Sequence, residues 1–216
     1  MTEVYVNAVK ELNKIYDALN EKYFNDELPA VVITIQSGAS KKAYGWFGKD
    51  FWEEHTTEEV EEAVHNTLHE INISAEYLNR PLPNLCGTIC HEMVHLYCAI
   101  NDIKDTSNKN VYHNKRFKEE AEKRGLLIEK APTIGYSVTT PSQEFTDFIN
   151  TIDVDKSHFA FARKMKFKSK NSNDDDNEDK TPTTTYICPI CGAKVRGNVG
   201  LSLHCNACDC DMESKK

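Results

Sequence analysis

The 216-residue chain has no run of about twenty apolar residues, which excludes a membrane-spanning helix. It has no apolar N-terminal stretch either: MTEVYVNAVKEL is polar and already helical in pattern, unlike a secretory leader. The expected compartment is therefore cytoplasmic and reducing, where clustered cysteines hold metals more often than they form disulfides. Internal repeats are absent, so a solenoid or propeller is not expected. Positive charge is scarce too, with 26 Lys+Arg against 34 Asp+Glu and a net charge of −8. A protein that coats nucleic acid would show the opposite balance.

What is present is unevenly distributed. The eight cysteines fall into two groups, 86/90/98 and 188/191/205/208/210, which suggests two sites with different roles. Residues 163–170, RKMKFKSK, carry five basic side chains and no acid. Residues 171–185, NSNDDDNEDKTPTTT, contain no large apolar residue and cannot bury enough surface to offset ordering entropy. They are expected to form an acidic disordered linker between a large domain at 1–170 and a Cys-rich module at 186–216. The chain length suits one catalytic domain and a small companion.

In the large domain, Val9, Leu12, Tyr16, Leu19 and Tyr23 form one apolar stripe, predicting a helix over about 3–24. AVVITIQ (30–36), AYGWFG (43–48) and HEINIS (69–74) read as strands. Thr56-Thr57-Glu58-Glu59 fits a capping box that opens a short helix to about His65. The PLP at 81–83 interrupts, and Asn84 is expected to start a helix through about Ile100. HNKRFKEEAEKRG (113–125) predicts a further helix stopped by Gly125. Residues 126–162 give no clear pattern. Helices mixed with short strands make the expected class α+β.

The chemistry concentrates in CGTICHEMVHLYC, residues 86–98. His91 and His95 lie four apart, so both imidazoles leave one helix face, with Glu92 beside the first. This HExxH arrangement provides two zinc ligands on a rigid element and a carboxylate beside the open position. Chance alone produces the motif in roughly a few per cent of chains this rich in His and Glu, so its placement on a buried helix matters. Cys98 cannot join the site, because seven residues span about 10.5 Å of helix axis. Cys86 and Cys90 point away from the His91 direction, so all three thiols read as small buried hydrophobes. A third ligand must come from elsewhere. Glu119, Glu120 and Glu122 are available, and His113 is the stronger candidate because the chain can turn back through the preceding loop to present it.

Several segments carry a family resemblance: ELNKIYDALNEKYFNDELP (11–29), YGWF (44–47), HEINIS (69–74), HEMVHLY (91–97), and His113 followed by Phe117 in HNKRF. Together they resemble the SprT-like (Spartan-type) zinc metalloprotease family. The resemblance implies a zincin-like domain with HExxH on a central helix, and it supports His113, since the family's third histidine follows a loop and begins a helix. It further implies a protein or peptide substrate and, through the family's association with proteins attached to DNA, DNA as a further partner. With three neutral histidines on zinc, a bound water becomes a usable nucleophile at neutral pH, and Glu92 is the expected general base. Tyr136, Tyr112 or Trp46 could stabilise the oxyanion, and nothing in the sequence selects among them.

In the tail, Cys188-x-x-Cys191 and Cys205-x-x-Cys208 form two knuckles, the pattern of a structural zinc ribbon. So short a module cannot build a sufficient core, and metal binding is expected to supply its folding free energy. Cys210 is a spare that could replace Cys208. Two zinc ions are expected, one catalytic and one structural. Lys194, Arg196, His204 and the 163–170 strip could touch nucleic acid, although the acidic body repels phosphate. A non-catalytic nucleic-acid-binding or regulatory zinc protein is the alternative reading.

Overall fold

The apolar stripe builds α1 (Glu3–Phe24), which buries Leu12, Ile15 and Leu19 completely. The structure is a computed structural model and describes residues 3–38, 43–53, 67–108, 110–164 and 182–214. Asn25 and Asp26 end α1 with left-handed φ values of 54° and 57°, which short polar side chains tolerate. Asn20 then clamps the turn: its side chain donates to the Leu28 carbonyl at 3.1 Å and accepts from the Leu28 N–H at 3.2 Å. Tyr16 donates to the Pro29 carbonyl at 2.6 Å. The ELNKIYDALNEKYFNDELP segment thus fixes its own entry into the first strand.

That strand, β1 (Val31–Gln36), pairs parallel with β3 (Thr67–Ser74), and β2 (Gly45–Glu53) pairs antiparallel with β3. The order β1-β3-β2 leaves β2 at an edge. It runs further than the expected 43–48, with a bulge between Gly48 and Trp52. Ile33, Ile35, Ile71 and Ile73 join the core. The helix expected to end near His65 lies outside the described residues.

The central helix α2 spans Leu82–Ile100, starting two residues before the expected Asn84. Pro81 is its N-cap and Pro83 falls in the first turn, where the missing N–H would have had no intrahelical partner. The PLP therefore opens the helix instead of delaying it. Leu85, Cys86, Ile89, Cys90, Met93, Val94, Leu96 and Cys98 are all buried, so α2 is apolar nearly all round and packs against α1, β2 and β3.

Beyond α2 come β4 (Thr106–Ser107), β5 (Tyr112–His113), α3 (Lys115–Glu122), β6 (Leu126–Ala131), β7 (Gly135–Pro141) and α4 (Gln143–Ile149). The four strands form a second sheet in the order β4-β5-β7-β6. Half of it is β6 and β7, from the stretch whose sequence gives no clear pattern. The expected helix over 113–125 is shorter than its pattern suggests. Asn114 caps it, accepting from the Arg116 and Phe117 N–H groups at 2.8 and 3.3 Å, so His113 lies in β5 and does not open the helix.

The chain divides into two compact units, Met1–Lys166 and Phe167–Lys216. In the second, β8 (Thr183–Ile187) pairs antiparallel with β9 (Lys194–Asn198) and with β12 (Glu213–Ser214). A separate ribbon pairs β10 (His204–Cys205) with β11 (Cys210–Asp211). Most of the expected linker lies outside the described residues. Its last three threonines, 183–185, belong to β8, where pairing with Arg196–Asn198 suits their β-branched side chains. The strand module therefore starts before Tyr186.

Candidate metal centre and cleft

Helix geometry alone brings His91 and His95 together, one turn apart on α2. His113 arrives from β5, which is held by a parallel pairing to β7 at Gly135. That pairing needs glycine: at φ 72° an added Cβ would stand 2.1 Å from the His113 carbonyl oxygen. The His113 Nε2 lies 3.2 Å from the His91 Nε2 and 3.0 Å from the His95 Nε2. Phe117, fully buried on α3, packs its ring against all three imidazoles at centroid distances of 4.6, 4.6 and 4.7 Å. The Phe of HNKRF is thus the apolar backing of the histidine cluster.

Each ring's second nitrogen has its own partner. His91 Nδ1 meets the Thr139 hydroxyl at 2.7 Å, His95 Nδ1 meets the Asp105 carboxylate at 2.5 Å, and His113 Nδ1 meets the Ile134 carbonyl at 3.2 Å. A carbonyl and a carboxylate can only accept, so Nδ1 carries the proton on His113 and His95. Their Nε2 lone pairs are then turned toward one another. Burial, reinforced by the other two imidazoles, holds His91 well below its ordinary pKa. Burial, then His95, lowers His113 to about 4. Ring nitrogens converging through lone pairs have no attraction of their own, and a cation between them supplies it. Zinc with nitrogen bonds near 2.0–2.1 Å would hold tetrahedral ligands about 3.3 Å apart, close to what is seen. The residues present fit a zinc ion.

Glu92 is 5% exposed and lines the same cleft, of about 830 Å³, as the three histidines. One wall is Tyr44 and the start of β2, at Gly45 and Trp46, and the other is β7, at Ser137, Val138 and Thr139. Gly45 permits the first wall: a Cβ there would meet the Asn72 carbonyl oxygen at 2.8 Å and the Glu92 Cγ at 3.3 Å. Of the three residues considered for an oxyanion, Trp46 lines the cleft, whereas Tyr136 and Tyr112 are not among its lining residues. The Tyr136 ring sits beside Lys118 and Lys130 instead.

The sequence profile of the SprT-like family matches residues 12–134, more than half the chain and the whole histidine cluster. The chain belongs to the SprT-like family. No curated protein and no solved structure matches it. The SprT-like domain is thus of zinc metallopeptidase type, with His91, His95 and His113 as its candidate metal group.

The cysteines of the SprT-like domain stay out of this group. Cys86, Cys90 and Cys98 are 0–1% exposed. Burial pushes the Cys90 and Cys98 thiols up to about 12, so they persist as neutral packing groups. In the second unit, one sulfur each from Cys188, Cys191, Cys205 and Cys208 lies within 4.8 Å of the others. Cys191 and Cys205 sulfurs stand 3.8 Å apart, the spacing that bonds of about 2.3 Å to one zinc produce. N–H groups of the first knuckle, Cys191 foremost, draw the Cys188 thiol down to about 6. Only Tyr186 and Cys188 are buried hydrophobics among the described residues of this unit, so a zinc ribbon held by its metal accounts for its fold. Cys210 lies against Cys188 at 3.6 Å, outside the four-sulfur group.

Sequence reading missed Asp105 and Thr139, the partners of two ligand rings. A sequence-level signal existed for neither, because both are brought to α2 by loops and strands whose pairing is tertiary. Arg80 was missed as well. It borders the cleft.

Proposed function

We propose that the SprT-like domain is a zinc-dependent peptidase that hydrolyses peptide bonds in protein substrates, including proteins attached to DNA. The observation that carries this reading is the convergence of three imidazoles in a cleft that Glu92 also lines. A purely structural site has no use for a carboxylate beside an open position. His91, His95 and His113 would hold the ion, which when bound lowers the pKa of water and polarises a carbonyl. Glu92 takes the proton from the attacking water and passes it to the departing amine. Thr139, Asp105 and the Ile134 carbonyl keep the three rings in the tautomer that points Nε2 inward. β2 is an edge strand whose first residues line the cleft, so an extended peptide can pair with it and pass the ligands. Attachment to DNA as the substrate context is supported by the family and by the basic stretch 163–170.

The test is cleavage of a protein substrate, with and without DNA, by the wild type and by Glu92→Gln. The variant should retain both metals and lose at least about 100-fold in rate, the scale of general-base catalysis. Equal cleavage by the two proteins would reject the peptidase reading and favour a nucleic-acid-binding zinc protein.

A further inference from the structure

Arg80 borders the cleft just before α2, and its surroundings are unusual for a guanidinium. Nε donates to the Tyr77 carbonyl at 3.1 Å, and Nη2 donates to the Thr88 hydroxyl at 2.7 Å. The Tyr44 ring covers the guanidinium at 4.1 Å from its centroid, and Tyr77 packs edge-on to Tyr44 at 4.6 Å. Every one of these partners is neutral. Among the described residues no carboxylate forms an ion pair with Arg80. A guanidinium has five N–H donors and cannot shed its charge, so this side chain brings an uncompensated cation and unspent donors to the cleft. Burial lowers its pKa, against the raising influence of Tyr44 and Tyr77.

The position relates this cation to the reacting centre. Thr88, which Arg80 holds, lies four residues before Glu92, one helical turn or about 6 Å along α2. An extended peptide advances about 3.3 Å per residue, so Arg80 stands one or two residues from the bond whose attacking water Glu92 would deprotonate. Thr88, Tyr44 and Tyr77 fix the guanidinium plane and so reduce the entropy lost when it grips a partner.

We propose that Arg80 is a specificity-determining residue: it forms a subsite for the side-chain carboxylate of a substrate Glu or Asp within two residues of the scissile bond. The carboxylate supplies the missing counter-charge and takes the unspent donors in a forked, charge-assisted contact. The proposal rests on the peptidase reading, and its test separates the two.

The zinc-loaded full chain is given peptides identical except for Glu, Gln or Lys at each position flanking the cleavage point. The wild type should prefer Glu over Gln at one position by about 10- to 100-fold in kcat/KM, the scale of a hydrogen bond to a charged partner. Lys should be cleaved most slowly there, and the Glu preference should shrink as salt rises. In Arg80→Gln the Glu-to-Gln ratio should fall to about one, and Arg80→Lys should restore part of it. Melting temperature and zinc content check that both variants are folded. Cleavage of all three peptides at equal rates by the wild type would overturn the Arg80 subsite and leave the peptidase reading intact. If no peptide is cleaved, the peptidase reading fails, and binding decides the subsite by fluorescence anisotropy. Equal affinity of Glu and Gln peptides would overturn it, whereas a Glu preference lost in Arg80→Gln would uphold it.

Discussion

Replacing Asp105 by Asn should weaken metal binding at the histidine cluster by about 10- to 100-fold, the usual cost of losing a partner behind a ligating histidine. This is about 1.4–2.8 kcal/mol at 1.4 kcal/mol per tenfold. The contact is 2.5 Å long, and both side chains are 14% exposed, so solvent screens it little. Burial, the largest single influence, would raise the Asp105 carboxyl, but the hydrogen bond and charge interaction with His95, helped by its own backbone N–H and the Thr106 hydroxyl, together lower it. Asn keeps the shape and an accepting oxygen while removing the charge, so the loss isolates the electrostatic support of the His95 ring. Thr139→Val removes a neutral acceptor at 2.7 Å from His91 and should cost less, under about tenfold, because bonds to charged groups are roughly twice as strong. Cobalt substitution followed by chelator competition measures both, since sulfur-bound cobalt in the ribbon shows charge-transfer absorption that histidine-bound cobalt lacks. An Asp105→Asn protein that binds metal as tightly as wild type would refute this reasoning, and so would a greater loss in Thr139→Val.

Two further outcomes are expected. In the metal-free protein His91 and His113 have lowered folded-state pKa values, so below about pH 6.5 the unfolded chain takes up protons that the folded chain refuses. Stability should therefore be full above pH 6.5 and fall as pH drops toward about 4; a melting temperature that stays level across this window, or rises toward acid, would contradict the neutral-imidazole assignment. In the ribbon, Cys188→Ser should reduce bound zinc from two ions to one and abolish the β8–β9 pairing seen by amide exchange, while Cys210→Ser should keep both ions. Loss of a zinc in Cys210→Ser would place that thiol among the ligands.

Much of the site could be read along the chain because its first part is local. His91, Glu92 and His95 sit on one helix, where a 3.6-residue period converts spacing directly into a shared face. The CxxC knuckles are equally local. The same holds for α1, β1 and β3, whose patterns match the elements observed. The start of α2 was misplaced because PLP reads as a breaker, although proline is compatible with a first turn. The second sheet stayed hidden because β4 and β5 have two residues each, and β5 reaches β7 only through the distant pairing of His113 with Gly135.

The sequence by itself determined the ligand types and the local geometry of HExxH, since backbone period and side-chain chemistry need no distant partner. It also determined that the three upstream cysteines would pack and that the four downstream ones could share a metal. Tertiary structure alone decided how His113 reaches α2, through a glycine at 135 that lets β5 and β7 touch. It likewise decided that Asp105, Thr139 and Phe117 orient and back the rings, and that Arg80 turns an unpaired charge toward the cleft. The Asp105 and Thr139 contacts join residues 10 and 48 positions apart, and a one-dimensional pattern carries no trace of pairings that only chain closure creates.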